Sequence, residues 1–302
     1  MLAVTIFGVL LASAAWAAEP IRVGVAISAT GAYSEAGTRT LQGYELWRKV
    51  INQAGGLLGR PVEFVVYDDK SDPSTGAKLY EKLITQDKVD HVLGPYSSAV
   101  TTAASTVTEK YHYPMIAGGS SSATPWSRGF KYLFQIYRPN SDANYGILGL
   151  AKERGIKTMA VIFSDDPWGV SLSGPSVFKG EELGIKAVLK QKFPKGTTDF
   201  SAFLIKAKAL NPDLFLFNGH YPHGIAVLRQ VKDMNLSPKM LALNFAAAFP
   251  EFAKQEKDTE GVLVYVGWEP FMNTPGNKEF VELYEKEYGN TPPLTSMWPL
   301  GG

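Results

Sequence analysis

Two serine-rich loops carry the residue types that best suit the binding of an anion. Residues 94–98 (GPYSS) follow a predicted strand and open a predicted helix, and residues 117–123 (AGGSSSA) follow the next strand. Serine hydroxyls and the free N–H groups of a helix N-terminus bind anions, and the carboxyl ends of parallel strands meet at one sheet edge. Either loop alone is explained equally well by helix capping. Together they favour a carboxylate site, with the hydroxyls of Ser97 and Ser98 on the first loop.

Two pairs of adjacent aspartates, Asp68 with Asp69 and Asp165 with Asp166, stand at predicted strand ends. General acid–base catalysis and Mg²⁺ binding both use carboxylates in such places. Adjacent side chains on a strand point to opposite faces, however, so the two carboxylates of a pair do not face one substrate. The pattern therefore favours carboxylates that fix loops.

Other catalytic and cofactor chemistry has little support. His220 and His223 are three residues apart at the start of a predicted helix, but a metal site needs at least one further ligand. The turn after the first strand (SATGAYSEAG) lacks a GxGxxG phosphate loop, and a GxSxG elbow is absent. With zero cysteines, thiolate catalysis, disulfides, iron–sulfur clusters and an N-terminal lipid anchor on Cys are excluded. We expect no catalytic residue, no cofactor and no metal.

Composition excludes other classes of protein. The chain has 302 residues, of which 45% are apolar and 20% charged, and this predicts about two globular domains. A formal net charge of +1 gives no general attraction for nucleic acid. A repressor with a two-lobed sensor would need a helix-turn-helix ahead of the first strand, and an apolar leader stands there instead. We expect no nucleic-acid partner.

The amino end is typical of an export signal. Residues 1–18 (MLAVTIFGVLLASAAWAA) are uncharged and end in the small-x-small pattern Ala15-Trp16-Ala17 that signal peptidase needs. A buried core helix is the alternative interpretation. No later stretch approaches the roughly 18 apolar residues of a membrane span. We therefore predict a protein free in the periplasm of a Gram-negative cell.

The elements that must position the serine loops alternate between short β-rich runs and longer amphipathic ones, which is typical of parallel α/β sheets. Strands are predicted over 21–28, 61–68, 91–94, 114–118, 158–164, 186–193, 213–219, 240–244 and 261–268. Helices are predicted over 38–53, from 72–73 onward, and over 98–111, 142–154, 170–183, 200–210, 223–234 and 277–288. About four β/α units precede Tyr137 and four follow Thr158, so we predict two doubly wound lobes rather than one open sheet.

Two Pro- and Asn-containing segments, 136–142 (IYRPNSD) and 269–276 (EPFMNTPG), are predicted to cross between the lobes. We expect the carboxyl end of the natural protein to be truncated here, because little sheet follows the returning helix. The predicted organisation is a signal peptide over 1–18, lobe one over 19–138, lobe two over 139–270 and an incomplete return to lobe one over 271–302.

The order and spacing of these segments resemble a known family. The run from residue 21 (IRVGVAISATGAYSEAGTRTLQGYELWRKVINQAGGLLGRPVEFVVYDDKSDP), then GPYSS, MIAGGSS, FSDDPWG and TTDFSAFLIKAKALNPDLFLFNGHYPHG, is similar to the periplasmic leucine/isoleucine/valine-binding proteins. These are type I solute receptors of ABC importers, with two lobes joined by a hinge of three crossings. The resemblance implies a monomer that binds a small carboxylate, closes over it and presents it to the permease subunits.

The resemblance also implies roles for individual residues. Ser98 and Ser121 match the hydroxyl residues that hold the ligand carboxylate. Gly119 and Ser120 match backbone donors beside them, and Tyr96 matches the apolar wall. Trp168 matches an aromatic lid from lobe two, and His220, with Tyr221 next to it, matches an aromatic pocket position.

The half of the site that would hold an amine departs from the family pattern. Asn244 and Phe245 stand where amino-acid receptors of this family usually place an acidic residue. A buried ammonium without a counter-charge is costly, although Asp142 near the hinge could supply one. Three interpretations therefore stay open: a receptor for hydrophobic amino acids, a receptor for an aromatic or other amine-free acid, and a periplasmic sensor subunit for a membrane kinase.

Overall fold

The computed structural model describes residues 19–255, 259–293 and 296. The predicted signal segment 1–18 lies outside the described residues. Among those that are described, no helix is long and apolar enough to cross a bilayer.

The first half of the chain forms a five-stranded parallel sheet. Its strands are β1 Ile21–Ile27, β2 Val62–Asp68, β3 His91–Leu93, β4 Met115–Ala117 and β5 Leu133–Gln135. The sheet order is β2-β1-β3-β4-β5, and β1 pairs in parallel with both β2 and β3. This order reverses between β1 and β3, and the crevice beside such a switch point is where parallel α/β sheets bind ligands.

The second half repeats the same winding. Its strands are β6 Thr158–Ser164, β7 Lys186–Phe193, β8 Leu214–Gly219, β9 Met240–Phe245 and β10 Val262–Leu263. The order is β10-β9-β8-β6-β7, so its own switch point lies between β6 and β8. Strands β6, β8 and β9 are almost wholly buried, as expected for a parallel sheet covered on both faces. The expected architecture of two doubly wound α/β lobes is confirmed.

Helices cover the faces of both sheets. Their bounds are α1 Ser34–Gln53, α2 Pro73–Thr85, α3 Ser98–Lys110, α4 Tyr145–Glu153, α5 Pro167–Glu182, α6 Ser201–Leu210, α7 Tyr221–Asp233, α8 Pro250–Gln255 and α9 Asn277–Tyr288. Local sequence explains the sharpest starts: Asp72 and Asp166 cap α2 and α5 by accepting N–H groups, and a proline follows each at the first turn.

Strand β5, helix α8 and the last predicted strand differ from the sequence prediction. Strand β5 was not predicted, because it has three residues and its Phe134 is half-exposed. Three residues are too few to show the alternation of apolar and polar side chains that indicates a strand. The strand predicted over 261–268 is wrong beyond its start: only Val262 and Leu263 pair with β9, and the chain then leaves the sheet.

The lobes are in contact across the cleft. One cluster of buried aromatic and aliphatic side chains draws from both, including Tyr33 and Tyr96 from lobe one and Phe245 and Phe249 from lobe two. Helix α9 packs against α1, where the Tyr284 hydroxyl donates to a side chain of that helix. The exact lobe boundaries at 138 and 270 stay a prediction.

Candidate functional site

The carboxyl ends of the strands in the two sheets face each other and enclose a narrow cavity. Its volume of about 20 Å³ holds little more than one water molecule. Among the described residues, nine line it: Ser121, Tyr137, Asn140, Ala143, Trp168, Leu172, Asn244, Phe245 and Tyr265. Four of the nine are aromatic and none is charged. This cavity, called the aromatic cavity below, contains four of the residues predicted from the sequence.

The two serine loops meet as predicted. Ser98 is the first residue of α3, and its Oγ accepts the backbone N–H groups of Ser121 (3.3 Å) and Ser122 (3.1 Å). The Ser98 hydroxyl therefore fixes the second loop from beneath, while Ser121 reaches the cavity wall. Ser122 Oγ in turn donates to Pro167 O (2.9 Å), which ties this loop to the start of α5 in lobe two.

The other predicted lobe-one residues support this arrangement. Ser97 caps α3 by accepting the N–H of Val100 (3.2 Å), so its hydroxyl is already used. Gly119 lies so close to lobe-one backbone that a Cβ there would be 2.9 Å from the Cα of Tyr96. Ser120 is fully buried, and its carbonyl accepts the side-chain amide of Gln135. These residues hold the loop pair together behind Ser121.

Asn140, which sequence reasoning missed, joins the two halves of the cavity. Its N–H donates to Ser121 O (2.8 Å), and its side-chain amide donates to Trp168 O (3.1 Å) and accepts the Ser171 hydroxyl (2.7 Å). Asn140 lies in the predicted crossing segment 136–142. Its hydrogen bonds link the loop that carries Ser121 to the first turn of α5, which carries Trp168.

Aromatic rings form the lobe-two wall. Trp168 lies in the first turn of α5, with its ring centroid 5.2 Å from that of His220 and 6.1 Å from that of Phe245. Tyr221 lies next to this group, with its ring 5.1 Å from that of Phe249. The sequence-predicted aromatic residues of lobe two are thus brought together, although only Trp168 and Phe245 line the cavity.

A ladder of buried amides occupies the position expected for an acid. Asn244 donates from its side-chain amide to Asn144 and to Asn218 Oδ1 (3.1 Å), and its Oδ1 accepts the N–H of Tyr265 (2.9 Å). Asn144 and Asn218 extend the ladder to two serine hydroxyls of α5. All polar atoms of the Asn244 side chain are therefore satisfied by neutral groups of lobe two. The ladder supplies no negative charge to the cavity.

Beside the aromatic cavity, Asp166 and His220 form a buried pair at the switch point of lobe two. Asp166 Oδ2 lies 2.6 Å from Nε2 of His220, and Asp166 Oδ1 accepts the N–H of Gly169. Burial acts to raise the pKa of Asp166, but the charge of His220 and its hydrogen bond lower it to about 2. The Asp166 carboxylate is thus already paired within lobe two.

His223 fixes the segment that follows β7 through a hydrogen bond to Lys195. Its Nδ1 accepts the N–H of His220 (3.3 Å), so Nε2 carries the hydrogen and donates to Lys195 O (2.7 Å). Burial and the adjacent His220 lower the pKa of His223 to about 4. In the part of the chain that the structure describes, no group of three His, Asp or Glu side chains is placed to hold a metal ion.

Asp142 is the one predicted residue that the structure places apart from the rest. It forms an ion pair with Arg138, its side chain is 46% exposed, and it is absent from the cavity lining. Its predicted pairing with a ligand amine stays a prediction, but this geometry does not support it.

Sequence reasoning missed Tyr137, Tyr265 and Leu172 on the cavity wall. Tyr137 lies in segment 136–142, which the sequence predicts as a crossing between the lobes and not as part of the site. Leu172 follows Trp168 by one helical turn, so it shares a helix face with it. Tyr265 follows β10 in a segment predicted to continue the strand, and nothing local marks it.

The fold and the sequence have counterparts in known proteins. A sequence profile of the periplasmic binding proteins matches residues 20–302. The chain is 27% identical over 273 residues to an amino acid binding protein of Pseudomonas aeruginosa, covering 87% of this chain and 71% of the relative. It is 26% identical over 275 residues to the leucine-, isoleucine-, valine-, threonine- and alanine-binding protein of the same species, covering 91% and 73%.

Solved structures give the same result. A leucine-binding protein of Thermotoga maritima superposes with a TM-score of 0.82 at 26% identity, covering 92% of this chain and 79% of that one. A solute-binding protein of an ABC transporter from Rhodopseudomonas palustris, solved with benzoate, superposes with a TM-score of 0.85 at 19% identity, covering 93% and 78%. This second likeness concerns the fold alone. With two lobes of identical winding, a cleft between their switch points and a profile match over nearly the whole chain, the protein belongs to the periplasmic binding protein family.

Proposed function

We propose that this chain is the extracytoplasmic solute-binding receptor of an ABC importer, and that its ligand is a small carboxylic acid with a flat apolar body and no amine. The observation that carries the ligand class is the aromatic cavity itself: four of its nine lining residues are aromatic and none is charged. Apolar pockets with a few placed polar groups are typical small-molecule sites.

The carboxylate of the ligand is expected to lie against the loop that carries Ser121. Of the two serine loops, Ser121 lines the cavity, while the N–H groups of Ser121 and Ser122 already donate to Ser98 Oγ. A charge-assisted hydrogen bond contributes about 1.5–3 kcal/mol. One such bond from the Ser121 hydroxyl would supply part of the roughly 8 kcal/mol that micromolar binding requires.

An ammonium group lacks a comparable partner. Asn244 is neutral and fully used within lobe two, Asp166 is paired with His220, and Asp142 is paired with Arg138 at the surface. Moving an ammonium from water into this cavity would cost several kcal/mol without a counter-charge. The aromatic walls of Trp168 and Phe245 instead suit a planar ring.

The receptor role rests on the family, whose members are solute-binding proteins. Capture is by closure: a ligand docks on lobe one, lobe two rotates about the crossings, and Trp168 with His220 covers it. The closed form is what the permease subunits are proposed to recognise. We propose no catalytic step, a monomer and a periplasmic location, and the amino acid receptors among the relatives make a hydrophobic amino acid the second candidate ligand.

A thermal-shift panel tests this proposal. The ligands are benzoate, 4-hydroxybenzoate and short aliphatic acids on one side and leucine, isoleucine, valine and phenylalanine on the other. A ligand at one hundred times its Kd adds about 2.7 kcal/mol of stability, which raises Tm by several degrees. We expect aromatic acids to raise Tm and amino acids to leave it unchanged. Stabilisation by the amino acids alone would contradict the proposed ligand class, and stabilisation by neither group would leave the receptor role without its expected ligands.

A further inference from the structure

Lys195 is a lobe-two cation that contacts lobe one across the cleft. Its Nζ donates to the backbone carbonyl of Ser71 in lobe one and lies 4.5 Å from the centre of the Tyr33 ring, also in lobe one. Its own carbonyl accepts the hydrogen bond from His223. Lys195 therefore makes three contacts through two groups, its Nζ toward lobe one and its carbonyl within lobe two, and it does not line the aromatic cavity.

The lobe-one side of this contact is firmly held. Ser71 Oγ donates to Thr30 O (2.6 Å) and accepts the N–H of Tyr33 (3.0 Å), and the Ser71 N–H donates to Asp69 Oδ1 (2.8 Å). Asp69 is fully buried and also accepts the Ser28 hydroxyl (2.6 Å). The carbonyl that Lys195 binds thus belongs to the same bonded unit as the loop that carries Tyr33.

That loop reaches the buried pair of lobe two. The ring centroid of Tyr33 lies 4.6 Å from that of His220, which contacts both Asp166 and the ring of Trp168. The contacts made by Lys195 therefore exist only when Tyr33 and His220 have come together. Opening the cleft must break the Lys195 hydrogen bond and its cation–π contact at once.

The lobe-two side gives the lysine a fixed base. Lys195 follows β7 by two residues, and the hydrogen bond from His223 anchors its backbone to the start of α7. Partial burial lowers the pKa of Lys195, and the carboxylates of Asp72, Asp166 and Asp69 act against that lowering. The closed arrangement therefore places three carboxylates near a lysine that is partly desolvated.

We infer that Lys195 is a latch that stabilises the closed state without touching the ligand. This inference rests on the proposed function, because a latch has a purpose only in a receptor that closes. In a two-state equilibrium between open and closed forms, contacts made in the closed form alone raise the closed population. They slow ligand release, and they lower the apparent Kd in proportion to the competent fraction. Lys195 is thus a positioning residue that acts through the lobes.

The test compares Lys195→Gln with the matched control Lys192→Gln. Lys192 lies three residues earlier on β7, is exposed and pairs with Asp165 of its own lobe. Its substitution therefore removes the same charge but leaves the contacts between the lobes unchanged. Lys195→Arg restores a cationic donor. Because the chain has zero cysteines, spin labels can be placed uniquely at Lys78→Cys on α2 and Lys206→Cys on α6, both exposed.

Two readouts are made on the full chain. The first is the distance between the two labels without ligand, and the second is the dissociation rate of benzoate followed by tryptophan fluorescence. We expect Lys195→Gln to move the label distances toward the open form and to speed benzoate release about tenfold, with little change in the association rate. Lys192→Gln should match the wild type in both readouts. Lys195→Arg should lie closer to the wild type than to Lys195→Gln, because it keeps a cationic donor.

Label distances and release rates equal to those of the wild type in folded Lys195→Gln would overturn the latch. So would an equal effect of Lys192→Gln, because that result would assign the change to net charge. If the wild type does not bind benzoate, the proposed ligand class fails, while the ligand-free label distances still decide the latch.

Discussion

The cleft has two unlike ends. At one end, the aromatic cavity is neutral and is closed by Trp168, Phe245 and the amide ladder of Asn244. At the other end, the carboxylates of Asp69 in lobe one and Asp166 in lobe two lie near Tyr33, whose ring contacts His220 and the half-buried Lys195. Among the described residues, none of those that line the aromatic cavity is charged, whereas charged side chains lie at the contact of Tyr33 with lobe two. Under the proposed function, this difference assigns ligand choice and closure to separate sets of residues.

The separation follows from the cost of buried charge. A charged group in the ligand cavity must be desolvated in each empty, closed molecule, unless a ligand neutralises it. A charged contact at the lobe edge is desolvated only on closing, and it gains a partner in the same step. Each prediction below changes one end and reads the effect at both.

The largest effect is expected from placing a negative charge in the neutral end. Asn244→Asp puts a carboxylate in the cavity lining, where it repels a bound benzoate, and like charges in contact cost several kcal/mol. Calorimetric titration should show benzoate affinity reduced more than 100-fold. Asn218→Asp is the control, because it charges the same ladder at a residue outside the cavity lining. An equal loss in both variants would show that the ladder, and not the cavity charge, sets affinity.

The charged end should show itself in the pH dependence of stability. Burial raises the pKa of Asp69 to about 6 from an ordinary 3.8. Ionisation of this carboxyl is therefore less favourable in the folded state than in the unfolded state. The free energy of unfolding falls as pH rises from about 4 to 6. In Asp69→Asn this loss is absent, so the stability of the variant relative to the wild type should rise by about 2 kcal/mol between pH 4 and pH 7. Urea unfolding at both pH values measures it.

Asp68 gives the matched control for that experiment. Burial acts to raise the pKa of Asp68, but hydrogen bonds from Thr30 and from the N–H groups of Lys70 and Ala29 lower it. Asp68→Asn should therefore lose stability relative to the wild type as pH rises. A pH trend of the same sign in both variants would contradict the assignment of a raised pKa to Asp69.

Removing one donor from the neutral end should have an intermediate effect. Ser121→Ala takes a hydroxyl from the cavity wall while leaving the backbone hydrogen bonds to Ser98 in place. The loss of one charge-assisted hydrogen bond predicts an affinity for benzoate that is about 10–100-fold weaker. Titration of Ser97→Ala, whose hydroxyl only caps α3, should show little change in affinity. Unaltered binding by Ser121→Ala would remove this residue from the site.

The smallest effect is expected outside both ends. Asp142 pairs with Arg138 at the surface, so Asp142→Asn should change the affinity for benzoate or leucine by less than twofold. A marked loss of leucine binding in this variant would instead identify Asp142 as the partner of an amine, and the hydrophobic amino acid would become the preferred ligand.

The sequence was informative wherever one local signal was enough. Helix α9 was predicted to the residue, and the Asp72-Pro73 start of α2 was confirmed with its cap. The two serine loops were predicted to meet because parallel strands end at one edge, and the hydrogen bonds of Ser98 confirm it. The loop-fixing interpretation of Asp68 and Asp69 is confirmed by the hydrogen bonds they accept.

Residues that act across the cleft could not be found in the same way. Lys195 and Tyr33 are far apart in sequence, and only the closed arrangement of two sheets brings them together. The neutral role of Asn244 was suggested by a missing acid, but the ladder that satisfies it depends on Asn144 and Asn218, which lie on other elements. Such contacts depend on tertiary packing, for which a single sequence carries no periodic signal.

The most direct test of the account is a calorimetric titration with two ligands that differ only in an amine, 3-phenylpropanoate and phenylalanine. Both offer the same carboxylate to the serine loops and the same ring to the aromatic cavity, so their difference measures the ammonium alone. The account predicts that 3-phenylpropanoate binds at least tenfold more tightly than phenylalanine, because the cavity offers no counter-charge. Tighter binding of phenylalanine would contradict it, and would show that a carboxylate of this chain pairs with the amine after all.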